Sequence, residues 1–122
     1  MTFDTGLLIA AEKRSGKFHA IWNASVQRRA RRTVPMPVLA QVWREKSVMI
    51  ARVLNACTVE PFTERRAKQI GALLGKSGTA DIVDAAVVLG AVERDDAIVT
   101  SDPDDIRRLL AALDENVPVI DV

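Results

Sequence analysis

Residues 79–105, TADIVDAAVVLGAVERDDAIVTSDPDD, decide how this chain is read: they set carboxylates along an apolar helix and again just past an apolar strand. Asp81 and Asp84 are three positions apart and so share one face of a helix. Ala85, Ala86, Val87, Val88 and Leu89 leave little polar surface beside them, which predicts a largely buried helix. Glu93 to Asp96 end it, residues 97–100 (AIVT) read as a short buried strand, and residues 101–105 (SDPDD) stand at that strand's carboxyl end. Open α/β sheets bind their ligands at such ends.

Outward from that stretch, strands and helices alternate. Residues 1–3 read as a strand, Asp4 and Thr5 cap a helix through Leu7, Leu8 and Ala11, and Ser15-Gly16 breaks it. A second helix is expected from about Phe18 to Ala30, with Ile21, Trp22 and Val26 at helical spacing. Thr33 to Pro35 read as a second strand, and Pro37 suits the first turn of a helix carrying Val38, Leu39, Val42 and Trp43. That helix and Ser47 to Leu54 form a helical hairpin or one kinked helix. Cys57 to Val59 read as a third strand, Thr63-Glu64 open a helix that stops at residues 75–78, and Ile106 to Leu113 form the last helix before a closing strand, Val117 to Ile120. Parallel neighbours need crossovers, and the crossovers here are helices. The expected fold class is α/β: a three-layer α/β/α sandwich around a short-stranded, mainly parallel sheet.

The chain has 122 residues, 48% of them apolar and 27% charged, which suits one domain (residues 1–122) with its own core and no disordered tract. No apolar run approaches a membrane span. The first fourteen residues have an apolar run of only five, Leu7 to Ala11, preceded by an aspartate, so no signal peptide is read and the cytoplasm is the expected compartment. The single cysteine, Cys57, excludes an internal disulfide or a cysteine-based zinc site, and the single histidine, His19, is far in sequence from the carboxylates. Any catalysis would rest on carboxylates.

In a parallel sheet all carboxyl ends share one edge, so Asp4 and Asp102 are expected to converge there. An N-cap aspartate, stabilising by about 0.5–2 kcal/mol, explains either one alone. It does not explain Asp84 on a buried helix, since a buried carboxylate is costly unless it is paired or holds a metal. Three hard oxygen donors suit Mg²⁺ or Mn²⁺, with several waters kept and substrate phosphate oxygens added. Such a metal activates water and offsets charge in phosphodiester hydrolysis. Thr100 and Ser101, and beyond them Asp105, are candidates to support the ligating carboxylates.

DTGLLIA at 4–10, DAAVV from Asp84 and IVTSDPDDI at 98–106 resemble the motifs of PIN-domain ribonucleases, VapC-type toxins above all. The resemblance spans nearly the whole chain in order and spacing, and its last motif is the most specific part. It implies a compact α/β/α sandwich, a metal-dependent endoribonuclease acting on RNA, a homodimer, and a VapB-type antitoxin that inserts into the active site. The family's four acidic positions fall here on Asp4, Gln41, Asp84 and Asp102. The second is therefore an amide, in the context VPMPVLAQVWRE (34–45), with one neutral acceptor oxygen where an anion is expected. Metal binding should be weakened rather than abolished. Glu45, one helical turn further and displaced by about 5–6 Å, is a poor replacement; Asp81, one turn before Asp84, would restore four carboxylates.

Gln41 also keeps a second reading open, a degenerate PIN domain that binds antitoxin or RNA with weak or no cleavage. A phosphoacceptor receiver domain fits worse, since its acceptor aspartate would follow the third strand, where Glu60-Pro61 stands. A phosphatase with a nucleophilic aspartate needs a second acid two positions on, where Asp4-Thr5-Gly6 has glycine.

The net charge of +1 predicts no bulk polyanion binding, but the cations are blocked: Arg28, Arg29, Arg31 and Arg32; Arg65, Arg66 and Lys68; Arg107 and Arg108. Residues 28–32 are the expected RNA-backbone contact, giving affinity without sequence choice, against the alternative of solvated helix faces. Trp22, Trp43, Met36 and Met49 are read as core or dimer interface rather than as an RNA-stacking surface.

Overall fold

The computed structural model describes residues 1–122. The elements are β1 (Thr2–Phe3), α1 (Thr5–Glu12), α2 (Gly16–Gln27), β2 (Thr33–Pro35), α3 (Met36–Val42), α4 (Val48–Asn55), β3 (Thr58–Glu60), α5 (Glu64–Ser77), α6 (Ile82–Arg94), β4 (Ile98–Thr100), α7 (Pro103–Ala112) and β5 (Val119–Asp121). The five strands lie in the order β3-β2-β1-β4-β5, and every pairing is parallel.

Local chemistry sets several boundaries differently from the expectation. α1 and α2 are separated before Gly16, and α2 opens at Gly16 rather than at about Phe18, because Ser15 caps the helix by accepting from Phe18 N at 3.1 Å. That helix ends at Gln27, before the arginine block, and Arg29 takes a left-handed turn at φ 51. α3 and α4 are separate: Trp43 leaves the helix with ψ 127, and Ser47 caps α4. Residues 79–81 are not helical, since α5 closes on left-handed Gly78 and Asp81 is the N-cap of α6.

The central strands β1, β2 and β4 are buried throughout, as Val- and Ile-rich strands covered on both faces must be. The edge strands β3 and β5 are partly open. Connections from β1 to β2 to β3 run one way across the sheet and those from β3 to β4 to β5 run back; right-handed crossovers therefore put α1–α4 on one face and α5–α7 on the other. The helix contacts follow that division, with α3 also meeting α6 at the rim. Phe3, Leu7, Leu8, Val34, Val87, Ile98 and Ile106 fill the core, each contributing about 1.5–3 kcal/mol by leaving water.

Trp22 packs against Phe3 and Phe18 and carries the Arg32 guanidinium 4.7 Å over its ring, so it is core, as expected. Met36 and Trp43 are not core but exposed, and line an apolar groove with Leu39, Leu54 and Val59, where the interface alternative applies. Burial pushes the Cys57 thiol up to about 11, which keeps it inert.

Candidate active site

The chain leaves β1 toward β2 on one side, while β4 lies on β1's other side. The β1/β4 boundary is thus the point where the strand order reverses, and its carboxyl edge is where this sheet type opens a crevice. Asp4 follows β1 and Asp102 follows β4, so both stand at that crevice. A buried hydrogen bond closes it from below: Thr100 Oγ1 donates to Asp4 Oδ2 at 2.7 Å, and the same hydroxyl accepts from Asp102 N at 3.0 Å. Asp4 Oδ1 accepts from Thr5 N at 2.7 Å. Both Asp4 oxygens are thereby oriented.

Gly6 permits this approach. A Cβ there would sit 2.3 Å from Ser101 Oγ and 2.7 Å from Ser101 N, so only glycine lets α1 start against the turn that carries Asp102. A glycine two residues past a strand-end aspartate is the sequence signal of this close approach.

Asp84 enters from the other layer, in the first turn of α6, and is only 8% exposed. Burial first, then the carboxylates of Asp4, Asp81, Asp102 and Asp105, push its pKa up to about 7. Asp4 is raised by burial and by Asp81, against hydrogen bonds from Thr100 and Thr5 that lower it. Asp102, on the solvent side, is raised by partial loss of water and then by Asp105, Asp4 and Asp104. The three carboxylates thus feel one another, and the dominant charges on each are those of neighbouring carboxylates.

Asp81 belongs to the same neighbourhood, though not as a second helical residue. It is exposed and caps α6, its Oδ1 accepting from Asp84 N at 3.0 Å. With Thr79, Asp84, Asp105 and Arg108 it lines a cleft of about 210 Å³. Gln41 reaches the site from α3, where its Oε1 accepts from the Thr5 hydroxyl. Glu45 has no helical relation to it, because α3 ends at Val42.

Arg28, Arg29, Arg31 and Arg32 lie elsewhere. They precede β2, and the backbone carbonyls of Arg31 and Arg32 bind the amino ends of β1 and β3, so the strands separate them from the acidic centre by roughly 10 Å. An RNA-backbone contact by these four would therefore lie toward the sheet's amino edge, away from the acidic centre. Arg65 and Arg66 are engaged by Glu93 and Glu60, and Lys68 by Glu64.

No three Asp, Glu, His or Cys side chains stand close enough together to hold a cation as they are placed. The donors are nevertheless hard oxygens on three separate elements, the chemistry that fits Mg²⁺ or Mn²⁺ and not a softer metal.

No family model and no curated protein matches the sequence. Solved structures do. One is a chain of VapBC2 from Rickettsia felis, described bound to a DNA fragment from its promoter: TM-score 0.73 and 14% identity, with 99% of this chain and 97% of that one covered. Another is PAE2754 from Pyrobaculum aerophilum: TM-score 0.58 and 16% identity, covering 91% of this chain and 82% of that one. At these identities the likeness is one of fold, and that fold is PIN-like, as expected.

Proposed function

We propose that this chain is a VapC-type PIN nuclease, a metal-dependent endoribonuclease that hydrolyses RNA phosphodiester bonds as the toxin of a toxin–antitoxin pair. The reading is carried by the convergence of Asp4, Asp84 and Asp102, from three elements and both helical layers, on the crevice where the strand order reverses. The neighbour's description as VapBC2, with nearly complete mutual coverage, supports the same reading.

Asp4, Asp84 and Asp102 would hold Mg²⁺ or Mn²⁺ through carboxylate oxygens, with Gln41, Asp81 and Asp105 as further oxygen donors around them. When bound, such an ion lowers the pKa of a ligated water and offsets charge on the phosphate. The chain's own contribution is orientation. Thr100 and Thr5 N fix Asp4, Asp81 fixes the first turn of α6 and with it Asp84, and Gly6 keeps the Asp102 turn close. Asp102, the most open of the three, faces the solvent from which a strand of RNA enters.

Purified, antitoxin-free protein is expected to degrade single-stranded RNA with Mg²⁺ or Mn²⁺ and to lose that activity on Asp4→Asn or Asp102→Asn. RNA left intact by the parent protein under both metals would favour the second reading, a binding-only PIN domain. That reading draws on Gln41, whose single acceptor oxygen is already engaged by Thr5. A homodimer and a VapB-type antitoxin are the partners proposed, and the apolar groove around Met36 and Trp43 supports a protein partner of one kind or the other. No helix is long and apolar enough to cross a membrane; a cytoplasmic location is proposed with the rest.

A further inference from the structure

A single-stranded phosphodiester chain crossing the acidic crevice needs cations on its walls, and the arginines at the sheet's amino edge do not line it. Two other arginines are in place. Arg108, on α7, lines the cleft that contains Asp81, Asp84 and Asp105. Its one anionic partner is Asp105 at 3.7 Å, with both side chains about half exposed or more, so the pair is weak and the guanidinium is free to turn to a phosphate. Arg44, just past α3, lines a second cleft of about 350 Å³ with Thr5, Gln41 and Glu12. It is exposed and engaged only through Nη1, which donates to the carbonyls of Trp43 and Gln41, and this leaves most of its donors open. The one acid in that cleft, Glu12, is taken up by Ser47 Oγ at 2.6 Å. Thr5, in this cleft, binds Asp4; Asp84, in the other, is pushed up by the Asp4 charge. The two clefts therefore flank one centre, that of Arg44 on the α1–α4 layer and that of Arg108 on the α5–α7 layer.

We infer that Arg44 and Arg108 are the substrate-positioning cations of this site, each holding a backbone phosphate of single-stranded RNA on one wall of the crevice, so that the phosphodiester between them lies over Asp4, Asp84 and Asp102. This rests on the nuclease reading for its purpose, but its test does not. Arg107 supplies an internal control: it sits on the same helix, pairs with Asp104 at the same 3.7 Å, and is similarly exposed, yet lines a different cleft with Leu110, Glu115 and Val117.

The experiment is the binding of a fluorescent mixed-sequence oligoribonucleotide to the full chain across a series of salt concentrations without divalent cations. Arg44→Ala and Arg108→Ala should each weaken binding about three- to tenfold and flatten the slope of log affinity against log salt by about 0.7. Arg108→Lys should retain most of the affinity as a point charge, and Arg107→Ala and Arg28→Ala/Arg29→Ala should match the parent. Equal losses from Arg107→Ala or the Arg28/Arg29 pair would reduce the effect to bulk charge and overturn the assignment, as would unchanged slopes for Arg44→Ala and Arg108→Ala. Thermal melting of each variant separates these outcomes from misfolding. If the parent binds with this pattern but never cleaves with Mn²⁺, the positioning role stands and the nuclease reading falls. If it cleaves and the two arginines have no effect on KM or slope, the reverse holds.

Discussion

The Thr100 hydroxyl joins the two strand ends of the site, donating to Asp4 Oδ2 across 2.7 Å while accepting from the backbone of Asp102. Thr100 is fully buried, so neither interaction is replaced by water when the hydroxyl is removed. Thr100→Val keeps the shape and deletes both bonds. It should destabilise the protein by about 1–3 kcal/mol and lower RNA cleavage by about tenfold or more through loss of Asp4 orientation. Thr100→Ser, which keeps the hydroxyl, should recover most of the activity. Thermal melts and initial cleavage rates check both, and a fully active Thr100→Val variant would remove this residue from the support of the site.

Gly6→Ala tests the close approach of α1 to the β4–α7 turn. The added methyl would meet Ser101 at its side chain and at its backbone nitrogen, 2.7 Å away, and backbone cannot swing aside as a side-chain tip does. A loss of about 1–3 kcal/mol is expected, as for overpacking elsewhere, with activity falling further than stability because Asp102 moves with the turn. Adding Ser101→Gly removes only the side-chain clash, so it should restore part of the melting temperature and little of the activity.

The pH dependence of stability should carry the signature of Asp84. Its folded pKa of about 7 lies above the ordinary value of 3.8, so the folded state holds a proton there that the unfolded chain has released. The associated stability is fully present below about pH 4 and is lost as pH rises through 7, amounting to about 2–4 kcal/mol. Without divalent cations the parent should melt progressively lower from pH 5 to pH 8. Asp84→Asn, which mimics the protonated form, should melt higher than the parent at pH 8 and show a flatter profile. Mn²⁺ should raise the parent's melting temperature at pH 8 and leave that of Asp84→Asn nearly unchanged. A parent profile as flat as that of the variant would show that Asp84 is not strained by its neighbours.

Much of this was written in the order of residues. Val- and Ile-rich strand segments alternating with amphipathic helices predict the parallel sheet, and Asp4 and Asp102 after two such segments predict one shared edge. Helix ends were less readable because capping decides them. Asp81 has the spacing of a helical neighbour of Asp84, yet its side chain binds the Asp84 amide and so marks where the helix starts. Glu45 has the spacing of a turn beyond Gln41, but Trp43 turns the chain out of α3 first. The arginine block at residues 28–32 is dense in sequence, and the parallel pairing of β1, β2 and β3 puts it at the sheet's amino edge, opposite the edge that carries Asp4 and Asp102. Arg44 and Arg108 are unremarkable in composition; the clefts they line are tertiary.

Gln41→Glu asks what the amide does. In the parent its Oε1 accepts from the Thr5 hydroxyl, and Thr5 N in turn binds Asp4, so the residue touches the acidic centre through one intermediate. A carboxylate there keeps an acceptor for Thr5 and presents a second, anionic oxygen to the crevice. The variant should bind Mn²⁺ more tightly and cleave RNA faster, by about three- to tenfold at limiting metal, and should be less stable than the parent without metal, because another charge joins a cluster that already raises Asp84. Metal titrations followed by melting temperature and by cleavage rate read the two effects separately. Tighter Mn²⁺ binding with no gain in cleavage would mean that catalysis is limited elsewhere. Unchanged metal affinity would place position 41 outside the reach of the ion.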